Sequence, residues 1–460
     1  MKPRTKGAIA VLAVALLAAV SGLIPAAASH NGDIHSDNIK MLTQQPIMMT
    51  EEAAAQGSDL AFEGKLVIAG GYEGPSIFKI VSAKQGYIKQ LAFLPCTGSQ
   101  GDVSVYGDLL FVSVDSPRAG PSCDVKESAA ASQQQIAQGT AFEGVRVVSI
   151  KDPTRPEQVA AVDTPCGSHT HTLLPKGKSI FIYIESYPLV PTSWGTDCNP
   201  IGHRKISIVE VPLSDPGKAE IVGDLGVAAL GCHDVTTFPS KNLAVAACIN
   251  YSIVLDVKDP AAPEVLAEIV NPDIQIHHST AMTWDGKYLL LGDEAGGAQP
   301  PASQGCNLGQ NGTAGALWVY DITDPANPVE AGHYGPPRRP PLPDTQAEAN
   351  YLRCTTHNFN VLPMKDPKRY IAVVSYYNGG ISVVDFSDPS APEEIGYYLP
   401  LESGTLPDMW ASYWYNGLIY TNDHASKLGV GVFELEGTGK KDVRYFRTRM
   451  NPQLQIPEFK

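Results

Sequence analysis

The 460-residue sequence predicts an all-β fold of seven repeated units, each with four antiparallel strands. Two observations lead there. The first is a motif that recurs along the chain, best seen in GISVVDFSDPSAPEEIGYY at residues 380–398. Ile381, Val383, Val384 and Phe386 form a short apolar run, as in a strand covered on both faces. Asp388, Pro389 and Pro392 then break the pattern as a tight turn requires, and residues 395–399 read as the returning strand of a hairpin. Copies lie at 144–162, 251–269 and 316–334, a looser one at 205–223, and degenerate ones at 76–93 and 428–435. The second observation is a set of seven strongly apolar runs, at 65–68, 109–112, 180–183, 243–246, 288–291, 370–373 and 418–420. Each is followed by a strand of the recurrent kind. Such units bury their faces only against their neighbours, so one domain is expected.

An Asp-Pro-x-x-Pro turn after a strand ending in Asp-aliphatic resembles the LVIVD-repeat family of secreted bacterial β-propeller proteins. The resemblance covers most of the chain after its N-terminal region. It implies a β-propeller, and with the seven counted units the expected fold is an all-β, seven-bladed β-propeller built from LVIVD-type repeats, with four antiparallel strands per blade. It implies no chemistry.

Taken in order, residues 1–28 read as a secretory signal peptide. They have a basic start, an apolar run from Ala8 to Ile24, and small residues before Ser29. Residues 29–57 form a polar N-terminal extension, residues 58–450 the propeller, and residues 451–460 a C-terminal tail. The last blade is expected to take its outer strand from residues 443–447, with the N-terminal segment as the alternative. Long loops at 116–140, 186–204 and 292–314 all join second to third strands, and a Pro-rich loop at 335–353 leads into an inner strand. In a four-stranded blade those connections share one face of the disc, so that face is the expected seat of function.

Charge narrows the partners. The formal charge is −14, and losing residues 1–28, with Lys2, Arg4, Lys6 and no acid, takes it to −17. Such a surface repels phosphate backbones, so nucleic acid is not an expected partner. No later run is long enough to span a bilayer, so no membrane insertion is expected after signal cleavage. The expected partner is a protein or small-molecule ligand on the loop-rich face. The expected location is secreted, extracellular.

Eight cysteines without a Cys-x-x-Cys pair fit an oxidising compartment. Cys96, Cys166, Cys232 and Cys354 each lie just before an inner strand, while Cys123, Cys198, Cys248 and Cys306 follow second strands. That placement predicts disulfides 96–123, 166–198 and 232–248 within blades, and 306–354 between neighbours.

The histidines carry the chemistry. Nine follow Asn38, and six of them sit in the first few residues of four inner strands. Aligned on the turn that ends each strand, His169, His233 and His357 fall six residues before it and His278 seven; His171 and His277 are close by. Inner strands line a propeller's channel, so the imidazoles converge at one mouth. Neutral imidazole is the commonest metal ligand, and a His-rich set suits copper, iron or zinc. The metal-site candidates are His169, His171, His233, His278, His357 and Asp102. Asp59, Asp234 and Asp408 lie near the same level, with Trp410, Tyr413 and Trp414 as an apolar side. A histidine at a strand start also serves simply to bond a loop backbone. Glu185, Asp293 and Glu294 end second strands and offer a paired-acid alternative for sugar hydrolysis. No Gly-x-Ser-x-Gly elbow, phosphate loop or His-Glu-x-x-His occurs. Two functions follow: an extracellular binding or scaffold module with a metal at the channel mouth, or a metal-dependent oxidoreductase using the histidine ring.

Overall fold

In three of the copies two aspartates make the same two turns. In the copy at 380–398, Asp385 Oδ1 accepts from the Ser387 amide at 3.0 Å and Asp388 Oδ1 from the Ser390 amide at 3.1 Å. Asp256 and Asp259 do the same for Lys258 and Ala261, and Asp321 and Asp324 for Thr323 and Ala326. A short carboxylate bonding its own backbone two residues on replaces a main-chain turn bond, which is why aspartate recurs there. Just before this turn, each third–fourth strand pair of these copies slips by one residue, between Val254 and Leu255, Val319 and Tyr320, and Val383 and Val384. A bulge at that point increases the twist of the outer strand.

The computed structural model describes residues 32–187, 202–228, 230–294, 312–335, 338, 353–401, 406–425 and 428–460. It is a seven-bladed β-propeller with four antiparallel strands per blade. The inner strands, in order, are Gly57–Glu63, Val103–Tyr106, Thr170–Lys176, Asp234–Phe238, His277–Met282, Phe359–Val361 and Met409–Tyr415. Apolar clusters fill the spaces between blades. One unites Ile68, Ile77, Val103, Leu110 and Val148 of blades one and two. Another unites Ala281, Leu290, Val319, Phe359 and Val374 of blades five and six. Among the described residues no helix is long and apolar enough to cross a membrane. The signal-peptide reading of residues 1–28 lies outside the described residues.

Closure differs from the expected choice. The outer strand of blade seven is Ile39–Gln45, paired antiparallel with Val430–Leu435, and not residues 443–447. Ile39 and Met41 are buried while Lys40 between them is exposed, the alternation a one-sided edge strand needs. Residues 443–447 have other work. Val443 and Phe446 are buried under blade seven, with Phe446 stacked on Tyr415.

The disulfides Cys96–Cys123 and Cys232–Cys248 form as the spacing predicts. Cys354 is also disulfide-bonded. Cys198 and Cys306 lie outside the described residues, and with them the 166–198 and 306–354 pairings. Arg146, fully buried, donates to the carbonyls of Thr97 and Pro121 at 2.9 and 3.0 Å and so anchors both sides of the Cys96–Cys123 loop.

The C-terminal tail is a plug. Arg449–Met450 pairs with the inner strand of blade one at Glu63 and Phe62. The Asn451 side chain then bonds both the amide and the carbonyl of Val105 in blade two, at 2.7 and 2.8 Å. Residues 453–455 run beside Thr237 of blade four, and the Gln455 side chain bonds the amide and carbonyl of Met282 in blade five. Four blades are thereby tied across one mouth of the channel. Asn451, Gln453, Leu454 and Gln455 are all buried.

Candidate metal centre

Inner strands alternate histidine or acid with threonine and serine, and the hydroxyls bridge blade to blade. Thr170 bonds the carbonyl of His233, Thr236 that of Thr280 at 2.6 Å, and Ser279 that of His357 at 2.5 Å. The histidine backbones are also pinned within their own blades. The amides of His169, His233 and His357 donate to the carbonyls of Glu185, Ala247 and Ser375 at 2.8, 2.7 and 2.9 Å. His277 instead exchanges two backbone bonds with Ile249 of the preceding blade, which takes a φ of +60°, unusual for a β-branched residue.

Four of the expected histidines meet. The Nε2 atoms of His169 and His233 are 3.0 Å apart, the rings of His233 and His278 have centroids 3.6 Å apart, and those of His278 and His357 4.5 Å apart. Two nitrogens bound to one ion at about 2.0–2.1 Å and near a right angle stand about 3 Å apart, so the first spacing suits a shared ion. The outer nitrogens of the flanking rings are engaged. His169 Nδ1 bonds Asp115 Oδ2 at 2.8 Å, and His357 Nδ1 bonds the Trp410 carbonyl at 2.6 Å. A hydrogen bond that fixes the proton on Nδ1 leaves the Nε2 lone pair free for a ligand, and metal-binding histidines are held in this way. His278 has no hydrogen-bond partner at either nitrogen, and His233 none at Nδ1, although both are buried. Orphaned polar atoms of this kind cost about 1–3 kcal/mol each unless something pairs with them.

A carboxylate completes the group. Glu294 Oε2 lies 3.5 Å from His278 Nε2, and ligand atoms of His233, His278 and Glu294 all fall within 4.8 Å of one another. Tyr377 donates to Glu294 Oε1 at 2.6 Å. Tyr377 adopts φ +45°, its ring packs on His357, and the Arg353 guanidinium covers it at 4.2 Å. A bulky residue held in the left-handed region marks a place where the surroundings dictate the backbone.

The remaining candidates sit elsewhere. His171 Nδ1 faces Ser113 Oγ at 2.8 Å and Asp102 Oδ2 at 3.2 Å, and Asp102 also accepts from the His171 amide. His277 turns the other way from its neighbour His278, onto Ser252 Oγ at 2.8 Å. Asp293 accepts from the amides of Gln275, Ile276 and Gly315, so it organises loops and is no partner for a second catalytic acid. Trp410 packs edge-on against His357, whereas Tyr413 turns its hydroxyl to Asp59.

Glu294 as a metal neighbour escaped the sequence reading, which saw only an acid at a strand end. No local signal marks it: Glu294 follows the paired Asp293, and His278 sits where the hairpin register slips between His277 and Ser279.

Beside the histidines lies a small cavity with room for about one water molecule. It is bounded by Ser58, Asp59, Asp102, His169, His233, His357 and Trp410, among others. Burial holds His233, His278 and His357 well below the usual imidazole range, reinforced for each by a neighbouring histidine. Neutral rings are what a metal requires.

Burial alone brings His277 down to about 4. The unfolded chain takes up this proton near pH 6.5 and the folded one does not. The stability it contributes is present above pH 6.5 and lost as pH falls from 6.5 towards 4, at up to about 1.4 kcal/mol per pH unit. His277→Gln is expected to flatten the fall in metal-free stability over that window, read by urea unfolding at several pH values. Parallel curves for the two proteins would contradict it.

The LVIVD repeat family profile matches residues 370–399, the third and fourth strands of blade six and the strand before them. No curated protein matches the chain. Among solved structures the chain is similar to the β-propeller domain of Cps50 (Swd1) from Myceliophteria thermophila, at 8% identity and TM-score 0.50, covering 85% of this chain and 100% of that one. It is also similar to hydrazine synthase from Kuenenia stuttgartiensis, at 12% identity and TM-score 0.53, covering 85% and 99%. At these identities the likeness concerns the fold alone. The chain is thus a seven-bladed β-propeller that carries an LVIVD repeat at residues 370–399.

Proposed function

We propose that this protein is an exported metalloprotein whose channel mouth holds one transition-metal ion on His233, His278 and Glu294, with His169 and His357 flanking it, and that the centre acts on a small molecule. The observation that carries the reading is the buried His278, both of whose nitrogens lack partners while Glu294 and His233 face it. Imidazole with one carboxylate suits copper, iron or zinc. The adjoining cavity favours catalysis over a purely structural ion, because structural sites are closed and catalytic ones keep a position open. Metal-dependent oxidoreduction is the reaction class that this donor set fits best. In such a reaction the chain's own residues do three things. Asp115 and the Trp410 carbonyl orient His169 and His357, Tyr377 orients Glu294, and the C-terminal tail closes one end of the channel. Export is supported by the two disulfides, which persist in oxidising compartments.

The test is elemental analysis of the oxidised protein, purified without a His-tag or chelator. About one copper, iron or zinc ion per chain is expected. A protein that stays metal-free after reconstitution with each of the three overturns the reading.

A further inference from the structure

Blades four and five meet at the ion site, and one disulfide stands behind the histidines of both. Cys232 immediately precedes His233 and is bonded to Cys248, which follows the second strand of the same blade. Both cysteines are fully buried. From Cys248 the chain turns tightly into the third strand. The Cys248 amide donates to the Tyr251 carbonyl at 2.7 Å, and the Asn250 amide to the Cys248 carbonyl at 2.6 Å. Ile249, inside this turn, takes its φ of +60° and reaches across to blade five. There its amide donates to the His277 carbonyl at 3.2 Å, and its carbonyl accepts from the His277 amide at 2.8 Å. Ser252, just past the turn, holds the His277 ring at 2.8 Å. His278 is the next residue.

The disulfide therefore has a ligand on either side. One sulfur lies one residue from His233. The other lies one residue from Ile249, which fixes His277 and, through it, His278. The two ligand rings have centroids 3.6 Å apart although they belong to different blades. The His278 ring makes no hydrogen bond, so its place is set by its backbone and its packing. A β-branched residue stays in the left-handed region only where its surroundings over-determine it, and the cross-link beside Ile249 does so here.

We infer that the Cys232–Cys248 disulfide is a positioning element of the ion site: it fixes the spacing of His233 and His278, and the site reaches full affinity only once it has formed. The inference rests on the metal reading above. The step that completes the site is thiol–disulfide exchange with a disulfide-bearing oxidant. The bond between Cys232 and Cys248 forms, the oxidant's bond breaks, and its two sulfurs leave as thiols carrying the two protons. The cysteines are oxidised by two electrons and the oxidant is reduced by two. Because both cysteines are buried in the folded protein, the exchange belongs to folding. Assembly runs in one order, oxidation first and the ion second.

The experiment measures Zn2+ affinity by competition with a chromophoric chelator, with a urea unfolding curve for each protein. The proteins are the oxidised natural chain, Cys232→Ser/Cys248→Ser and Cys96→Ser/Cys123→Ser. Serine leaves no thiol to bind zinc itself. Both variants lose a cross-link and should unfold at lower urea. Only the first is expected to bind Zn2+ more weakly, by about 10–100-fold, the usual loss when a group that orients a ligand is removed. Natural affinity in the first variant overturns the inference and leaves the ion site standing. So does an equal loss in both, which marks general loosening. Absence of Zn2+ binding to the natural protein overturns the ion site and the inference together. Should the first variant fail to fold, the natural protein decides, because coupling is reciprocal. In a glutathione redox buffer, Zn2+ is expected to raise the oxidised share of Cys232–Cys248 more than that of Cys96–Cys123, read by thiol alkylation and peptide mass. An equal rise refutes it.

Discussion

His278→Ala is expected to lower metal affinity by at least about 100-fold while leaving the blades folded. Altering a residue that merely orients a ligand typically costs about 10–100-fold, and His278 is itself the central ligand of the proposed set. It stands between His233 and His357 and closest to Glu294, so no neighbouring ring replaces it. The fold should survive because the ring makes no hydrogen bond that the blade depends on. The backbone of blade five is held instead by His277 and Ser279. The cavity left by the ring costs stability, and removing two orphaned nitrogens offsets part of that cost. His333→Ala is the control. That ring packs on Trp318 at 4.7 Å, in an outer strand, and its loss should leave metal content unchanged. Metal content by mass spectrometry and a thermal melt of each protein decide the matter. Equal metal in His278→Ala and the natural protein would sink the ion site.

Deleting residues 451–460 is expected to unseal the channel floor and to loosen four blades at once. The effect should be local enough to map. The amides of Val105, Thr237 and Met282 donate to Asn451 Oδ1, the Gln453 carbonyl and Gln455 Oε1. Those three amides should lose protection against hydrogen exchange in the truncated protein, whereas second-strand amides such as those of Val245 and Leu290 should keep theirs. The deletion also removes Leu454, which packs on Leu173, Ile182 and Val209, a burial worth about 1.5–3 kcal/mol. Each lost side-chain bond of Asn451 and Gln455 adds about 1 kcal/mol, offset in part by the regained freedom of the tail. Unchanged protection at Val105, Thr237 and Met282 would show that the tail does not hold the floor.

How much of this was readable in the chain varies by element. The LVIVD-type turns were, because aspartate and proline act through bonds to residues two or three away, and sequence displays such bonds directly. The histidine ring was readable for a related reason. Strand register is periodic, so residues equally far from the same turn arrive at the same level in different blades. His169, His233 and His357 are bound through their amides at equivalent points, as that count implies. The pairings 96–123 and 232–248 followed from the same geometry.

Other features depend on contacts between segments hundreds of residues apart. Nothing local distinguishes residues 443–447 from Ile39–Gln45 as the last outer strand; the choice rests on which segment can reach the rim once the floor has claimed the other. His171 and His277 share the composition of the ring but not its direction, because neighbours Ser113 and Ser252 from preceding blades draw them aside. Glu294 joins the ring only through pairing within blade five, and His233 meets His278 only when blades four and five pack together. The chain alone therefore establishes the repeating unit, the number of blades and the convergence of histidines, since each follows from short-range chemistry repeated at a regular spacing. Which side chains finally face one another at the channel mouth is settled by packing between blades, because only the closed ring brings those atoms into one dry space.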